Sequence, residues 1–492
     1  MVTVGIILFV LLLALLILFF LRQFWTRRHL PPGPLALPFI GTLLANGIGL
    51  QEDVLLKHVK RYGNIYSMWL GPYLVVVLSG FKAVKEEMTK FSEEFSDRPD
   101  DPFLTALGKG KGIILSNGHT WKQQRHIGLT SLRKLGLGKK SIEHRIEDVA
   151  QSLVDVFRET NGEPFDPSFP VLNAVSNVIC ALSFGRQFAP DDENFQKLIQ
   201  SLGIIVQFTG GFFHMVYDLF TPLMNYLPGP HKKALAATAF TLSFAKQEIQ
   251  KHKESGSPHE PQDFIDYYLL EMEKNKNDPD STYNEENLAQ CIYDFFGAGT
   301  DTSFVSMKWA LLLLASHPDI QEKVKKEIED VFGFSRSISY QDRKNLPYTN
   351  AVIHEMQRFK YALLFGVPRQ SKKDVKMRGY HIPKGTFIAP DMRSVLLDPE
   401  QWEKPKEFNP NHFLDKEGKF VEREEFLAFG TGLRACLGEQ LARIEIFILL
   451  TSLLRAFSFQ LPEGVKGFNE KPVVKITLPP QPYKICAIPH KS

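Results

Sequence analysis

From Val2 to Leu21 the chain carries no charge and almost no polar side chain. As a helix this run would be about 30 Å long, one hydrocarbon thickness. It has no polar face to offer water, which a soluble amphipathic helix needs. Arg22, Arg27 and Arg28 follow at once. No basic region precedes the run and no small-residue cleavage site closes it, so it reads as an uncleaved anchor and not as a secretory signal. The flanking arginines would keep the C-terminal side in the cytosol. Pro31-Pro32-Gly33-Pro34 cannot continue the helix and forms a stiff hinge. The expected organisation is an anchor at 2–21, a basic stop and proline-rich hinge at 22–34, and one catalytic domain at 35–492.

The remaining composition excludes several classes. A net charge of +3 over 492 residues is too small for a nucleic-acid binder. The four cysteines, at positions 180, 291, 436 and 486, include no CxxC pair and are too few for a disulfide framework. They suit a reducing compartment, in which an unpaired thiolate survives.

Periodicity predicts a mainly α protein with small β-sheets. Gln51–Tyr62 reads as an amphipathic helix; Ile65–Leu70 and Leu74–Leu78 read as a hairpin about Gly71-Pro72. From Trp121 to Ala315 the pattern is mostly helical, with breaks at Gly162-Glu163-Pro164, Pro228-Gly229-Pro230 and Ser255–Pro258. Short strand-like runs return at Lys373–Ala389 and after Phe457.

Asn284–Ala315 is the longest soluble helix expected, about 48 Å at standard rise. Asn284 suits the N-cap, Glu285 and Glu286 the first turn, and His317-Pro318 the end. Its centre reads Gly297-Ala298-Gly299-Thr300-Asp301-Thr302-Ser303. Two mid-helix glycines cost about 2 kcal/mol relative to alanine, so they admit a crossing helix, mark a break where Thr300 or Asp301 caps a second helix, or admit a flat ligand. A local kink would expose the Asp301–Thr302 pair and free the threonine hydroxyl from its own i−4 carbonyl. Glu355 and Arg358 form an i,i+3 pair on a helix from about Pro347 to Tyr361, a spacing usually worth only tenths of a kcal/mol.

Phe429-Gly-Thr-Gly-Leu-Arg-Ala-Cys-Leu-Gly438 sets one thiol in a glycine-bounded loop. A helix starting near Leu437 would aim its N–H groups and positive end at the sulfur. With Arg434 beside it, Cys436 is expected to have a lowered pKa, as a metal ligand or a nucleophile. Cys180 and Cys291 lie in apolar helical contexts and read as inert.

Together these patterns resemble the cytochromes P-450. Phe429, Gly432, Arg434, Cys436 and Gly438 match the FxxGxRxCxG signature of that family. Ala298–Ser303 resembles its oxygen-binding helix motif, Glu355-Met356-Gln357-Arg358 its ExxR motif, and Trp121-Lys122-Gln123-Gln124-Arg125 its WxxxR. Glu439-Gln440-Leu441-Ala442-Arg443 and Phe408-Asn409-Pro410 look like family 2, near its fatty-acid-epoxidising and xenobiotic-metabolising branches.

The resemblance implies haem b sandwiched between the long helix and the cysteine loop, with Cys436 as axial thiolate to iron. Such ligation pushes electron density to favour O–O cleavage. Ala298, Gly438 and Phe429 would lie against the porphyrin. Trp121, Arg125, Arg434, Arg98 and Arg369 would hold the propionates, arginine being suited to carboxylates by its planar fork. Asp301 and Thr302 resemble the acid–alcohol pair that supplies protons during oxygen activation. Glu355 and Arg358 carry over as a structural lock, with His412 at a meander position where many relatives have arginine. A neutral histidine there would weaken the charge balance of that network.

No dinucleotide fingerprint or flavin site occurs, so electrons would come from NADPH through a flavoprotein reductase, with cytochrome b5 a further partner. Lys122, Arg125, Arg133, Lys134, Lys139 and Lys140 form a basic segment for an acidic docking face. The pocket implied by family position is apolar: Phe103, Phe208, Phe212, Phe295, Phe296, Leu364, Phe365, Val367 and Leu478. Leu219–His231, with Tyr226 and Leu227, would make a second membrane contact. The reading is therefore a monooxygenase of the endoplasmic reticulum membrane, facing the cytosol, that hydroxylates or epoxidises polyunsaturated fatty acids such as arachidonate and xenobiotics. Two rivals are a haem-thiolate isomerase of lipid peroxides, which would lack an intact acid–threonine pair, and a non-catalytic haem-binding membrane protein.

Overall fold

Gly71, at φ +56°, turns the chain between β1 (Ile65–Leu70) and β2 (Tyr73–Leu78), which pair antiparallel from Ile65↔Leu78 to Leu70↔Tyr73. The computed structural model describes residues 2–38, 40–42, 52–136, 140–256, 260–333 and 338–490. Gln51, Lys139 and the Ser257-Pro258 part of the third expected break lie outside them, as do the side chains of Arg22 and Lys140.

The chain divides into two compact units, the first made of Met1–Asp100, Phe365–Val395 and Gly430–Arg434. Its sheet adds β6 (Phe387–Pro390) parallel to β2, and β3 (Arg369–Gln370) antiparallel to β6. A separate hairpin joins β4 (Val375–Met377) to β5 (Tyr380–Ile382). Tyr66, Met68, Val75 and Val77 fill the core against Ala389, every second strand residue pointing inward as the pleat requires.

Val2–Arg27 is helical, and its described side chains are mostly apolar and exposed, among them Ile6, Phe9, Leu15 and Leu18. Among the described residues no single helix is long and apolar enough to cross a membrane; the bent pair Glu193–Phe208 and Phe212–Leu219 passes by length and composition only.

The second unit, Asp101–Leu364, Leu396–Phe429 and Ala435–Ser492, is mostly helical, with one antiparallel pair, β7 (Phe457–Gln460) and β8 (Cys486–Pro489). The long helix is Glu285–Ser316, and Asn284 accepts the Asn287 N–H at its start. It packs on Ser168–Phe184, where a Cβ on Gly299 would stand 2.5 Å from Ile179 Cδ1. Gly299 thus serves helix crossing. The C-terminal helix, Glu439–Ala456, packs on Lys140–Arg158 and on the long helix.

His252 ties the helix Pro230–Ser255 to the N-cap of Phe264–Lys274: Nδ1 faces the Glu248 carbonyl at 2.8 Å and Nε2 the Asp263 carboxylate at 2.8 Å. Both partners are acceptors, so both nitrogens donate and the ring is cationic. The Asp263 hydrogen bond outweighs burial and raises its pKa from 6.5 to about 9. A folded-state pKa above the unfolded one stabilises fully below the unfolded value and is lost as pH rises through the folded one. In paired thermal melts, the advantage of the natural chain over His252→Gln is expected to hold near pH 6 and to shrink as pH passes about 9.

Candidate functional site

Cys436 lies just before the C-terminal helix, whose N-cap is Gly438. Its own N–H bonds the Phe429 carbonyl at 2.9 Å, closing the loop between them. The sulfur takes hydrogen bonds from the Gly438 and Glu439 amides, as a helix start should provide. The expected lowering of its pKa is corrected, however. The residue has an open face, yet the atoms packed around the sulfur push the thiol up, and Glu439 adds to the rise. The Gly438 amide, then Arg125, then the Glu439 amide oppose it. Arg125 is a cation acting on the thiol. Helix dipole and one cation do not offset desolvation; a bound metal cation would reverse that balance. By contrast, Cys180 and Cys291 are wholly buried and burial holds both thiols up, as inert cysteines should be.

Arg125 donates to the Ala435 carbonyl at 2.8 Å, and Trp121 is buried one helical turn before it on Gly118–Lys134. A cavity of about 270 Å³ is lined by Cys436, Leu437, Leu129, Arg133, Gln440 and Arg443, together with Glu439. Lys122, Arg133 and Lys134 are exposed on the same helix. Phe429 carries the Arg443 guanidinium 5.0 Å from its ring centroid.

On the long helix, Ala298 is exposed although Phe296 and Thr300 beside it are buried. The expected kink is absent: the helix runs unbroken, and the Thr302 hydroxyl donates to the Ala298 carbonyl at 2.7 Å. Asp301 accepts the Thr477 hydroxyl at 2.7 Å; burial raises its pKa, with Thr477 and then Lys475 opposing.

Glu355 and Arg358 are not the solvated pair their spacing suggests. Both are 0 % exposed, joined by Nε–Oε2 at 2.6 Å and Nη2–Oε1 at 2.7 Å. Arg358 also donates to the carbonyls of Leu396, Pro405 and Glu407, and Glu355 accepts the Asn409 N–H. His412 places Nδ1 3.1 Å from each Glu355 oxygen and Nε2 at the Glu403 carbonyl. It therefore packs its ring nitrogens against oxygen atoms on both sides. One turn before Arg358, His354 accepts from Arg443; burial and Arg443 lower its pKa to about 3, so it stays neutral.

In the first unit Arg98, Arg369 and Arg434 are all buried. Arg98 Nη1 bonds the carbonyls of Val367 and Pro368 at 2.8 and 2.9 Å, and Arg369 Nη2 that of Thr431 at 2.9 Å. Gly432 has φ +75°, and a Cβ there would meet the Met88 carbonyl oxygen at 2.7 Å, so only glycine fits.

The residues of the expected apolar pocket differ in burial. Phe103 is 0 % exposed and packs with Phe208 at 4.5 Å in a satellite core with Tyr217 and Met224. Phe296 belongs to the main core, and Phe295 meets Phe264 edge-on at 4.7 Å. Leu478 is buried; its carbonyl accepts the Trp309 indole N–H at 2.8 Å. Phe212 is 52 % exposed, while Leu364, Phe365 and Val367 are partly buried, Phe365 against the core of the first unit. Burial of an aromatic depends on what folds over it, which its own position in the chain does not state.

Two buried acids went unnoticed in the sequence. Asp294 accepts the amides of Ile113 and Ile114 at 2.6 and 2.9 Å, pinning that loop. Glu445 is bonded to Ser303. The available signal was a lone carboxylate within an apolar helical run, as in Ile444-Glu445-Ile446-Phe447.

The second unit's donor set suits a haem: an exposed cysteine with two amide donors, an arginine near it, and a small exposed residue, Ala298, among buried and half-buried neighbours on the long helix. Residues 31–487 match the family model described as Cytochrome P450. The chain is 42 % identical over 488 residues to Cytochrome P450 2J5 of Mus musculus, covering 97 % of this chain and 96 % of that one. It is 41 % identical over 462 residues to Cytochrome P450 2J2 of Homo sapiens, with 94 % and 92 % covered. Cytochrome P450 2C8 of Homo sapiens is 40 % identical over 483 residues, with 98 % of each chain covered.

Proposed function

Because the chain belongs to the cytochrome P450 family, we propose that Cys436 is the axial ligand of its haem and that its substrates are polyunsaturated fatty acids and lipophilic foreign compounds. The enzyme is a haem-thiolate monooxygenase that uses a redox partner. When bound, haem supplies oxygen activation, with the thiolate favouring O–O cleavage. The observation that carries the assignment is Cys436, a residue with an open face whose sulfur is bonded by the Gly438 and Glu439 amides. Trp121 and Arg125 are the second unit's donors for the propionates. Arg98, Arg369 and Arg434 in the first unit are buried cations whose planar forks suit carboxylates.

Burial raises the Asp301 pKa, so it holds a proton more readily than an exposed carboxyl does. Thr302 offers its hydroxyl at the exposed edge of the helix, poised on the Ala298 carbonyl from which it must turn to serve a ligand. The retained acid–threonine pair favours monooxygenation over peroxide isomerisation. Exposed Lys122, Arg133 and Lys134 make an electropositive face for an NADPH-dependent flavoprotein reductase and for cytochrome b5. The apolar run Val2–Leu21, followed by arginines, anchors the protein in the endoplasmic reticulum membrane with its catalytic part in the cytosol. Exposed Phe220, Leu223 and Tyr226 add a second lipid contact.

The test is the purified protein with reductase, NADPH and a panel of fatty acids and drugs. Arachidonate hydroxylation or epoxidation that requires NADPH is expected; turnover of lipid peroxides without NADPH would favour the isomerase. In the same assay Thr302→Ala should keep consuming NADPH while product per NADPH falls on the order of tenfold and peroxide accumulates. Unchanged coupling would remove Thr302 from the mechanism.

A further inference from the structure

On its buried side, the long helix carries a second polar contact. Ser303 Oγ donates to Glu445 Oε2 at 2.7 Å, and Glu445 is 1 % exposed on the C-terminal helix. Its neighbours Ile444, Ile446 and Phe447 are buried and apolar. Among the described residues Glu445 Oε1 has no partner, and neither has the wholly buried Thr300 hydroxyl, one turn before Ser303. Buried polar atoms are nearly always bonded, so a carboxyl with one hydroxyl partner needs an explanation. An ionised carboxylate there would be a buried charge with no cation, an arrangement proteins avoid by neutralising the group. The un-ionised acid removes that difficulty.

We propose that Glu445 is held as a neutral carboxylic acid and, through Ser303, is a positioning residue that orients Asp301 and Thr302. The C-terminal helix that bears Glu445 is the one whose first amides hold the Cys436 sulfur. A tie between it and Ser303 therefore sets the rotation of the oxygen-side helix relative to the sulfur side. Successive helical residues lie about 100° apart, so a slip at Ser303 redirects the Thr302 hydroxyl by the same rotation. Burial, opposed by the Ser303 hydrogen bond, raises the Glu445 pKa to about 8, in keeping with the neutral form.

The positioning role rests on the monooxygenase reading, whereas the protonation state does not, and the two are tested separately. Infrared difference spectra of the natural chain against Glu445→Gln at neutral pH should contain a protonated-carboxyl C=O band assigned to Glu445. A carboxylate band in its place overturns the neutral acid. In coupling assays, Glu445→Leu and Ser303→Ala should each release several-fold more peroxide per NADPH, with the ferrous–CO spectrum retained. Glu445→Gln, which keeps an acceptor for Ser303, should restore coupling. If Glu445→Leu does not fold, Ser303→Ala alone decides; natural coupling in Ser303→Ala overturns the positioning role.

Discussion

Cys436→Ser is expected to abolish the thiolate signature of the ferrous–CO spectrum and to reduce NADPH-dependent oxidation to background, while far-UV circular dichroism stays unchanged. The cause lies in the ligand atom. Sulfur is the softer donor and gives up its proton far more readily than a serine hydroxyl, which would bind iron weakly and supply less electron density. The two amide donors of Gly438 and Glu439 would remain, showing that they support the sulfur without replacing it. Because the Cys436 side chain is exposed, its loss opens no cavity in the core, and the fold should survive. A variant that kept the thiolate spectrum would place the ligand at another cysteine and overturn the assignment.

Arg358→Ala should be the most destabilising of the substitutions considered, by about 3–5 kcal/mol in denaturant titrations. The side chain is wholly buried and donates to Glu355 through two nitrogens and to three backbone carbonyls. Alanine leaves the Glu355 carboxylate without its bidentate partner, and the segment around Pro405 and Glu407 without its anchor. Arg358→Lys should recover little, since an ammonium cannot reproduce the planar fork. A double-mutant cycle with Glu355→Gln should show strong coupling, because each single change leaves the other group buried and unpaired. A loss under about 1 kcal/mol would return the pair to the solvated class that its spacing first suggested.

How much of this was legible beforehand differs from residue to residue. The hairpin at Gly71-Pro72, the Asn284 cap and the helix behind Cys436 all formed where expected, because each is decided by chemistry within a few residues. The glycine-interrupted centre of the long helix was ambiguous for the same reason: Gly299 answers to Ile179 on another helix, and the Thr302 hydroxyl stays on its own turn. Phe103 and Phe208 pack in a satellite cluster with Tyr217 and Met224, a contact their own positions in the chain do not state. Glu445 went unnoticed because its partner, Ser303, is on another helix.

By itself the sequence determined the family, through five loop positions around one cysteine, the helix motif and the ExxR pair, together with the apolar run and arginines at its start. Those are local statements about residue type and spacing. The tertiary structure alone decided which charges are buried and what they meet: Arg358 on Glu355, Asp301 on Thr477, and Arg125 near the Cys436 sulfur. It also set the direction in which burial moves the Cys436 and Asp301 pKa values. Desolvation depends on every atom packed around a group, and most of those atoms come from distant parts of the chain.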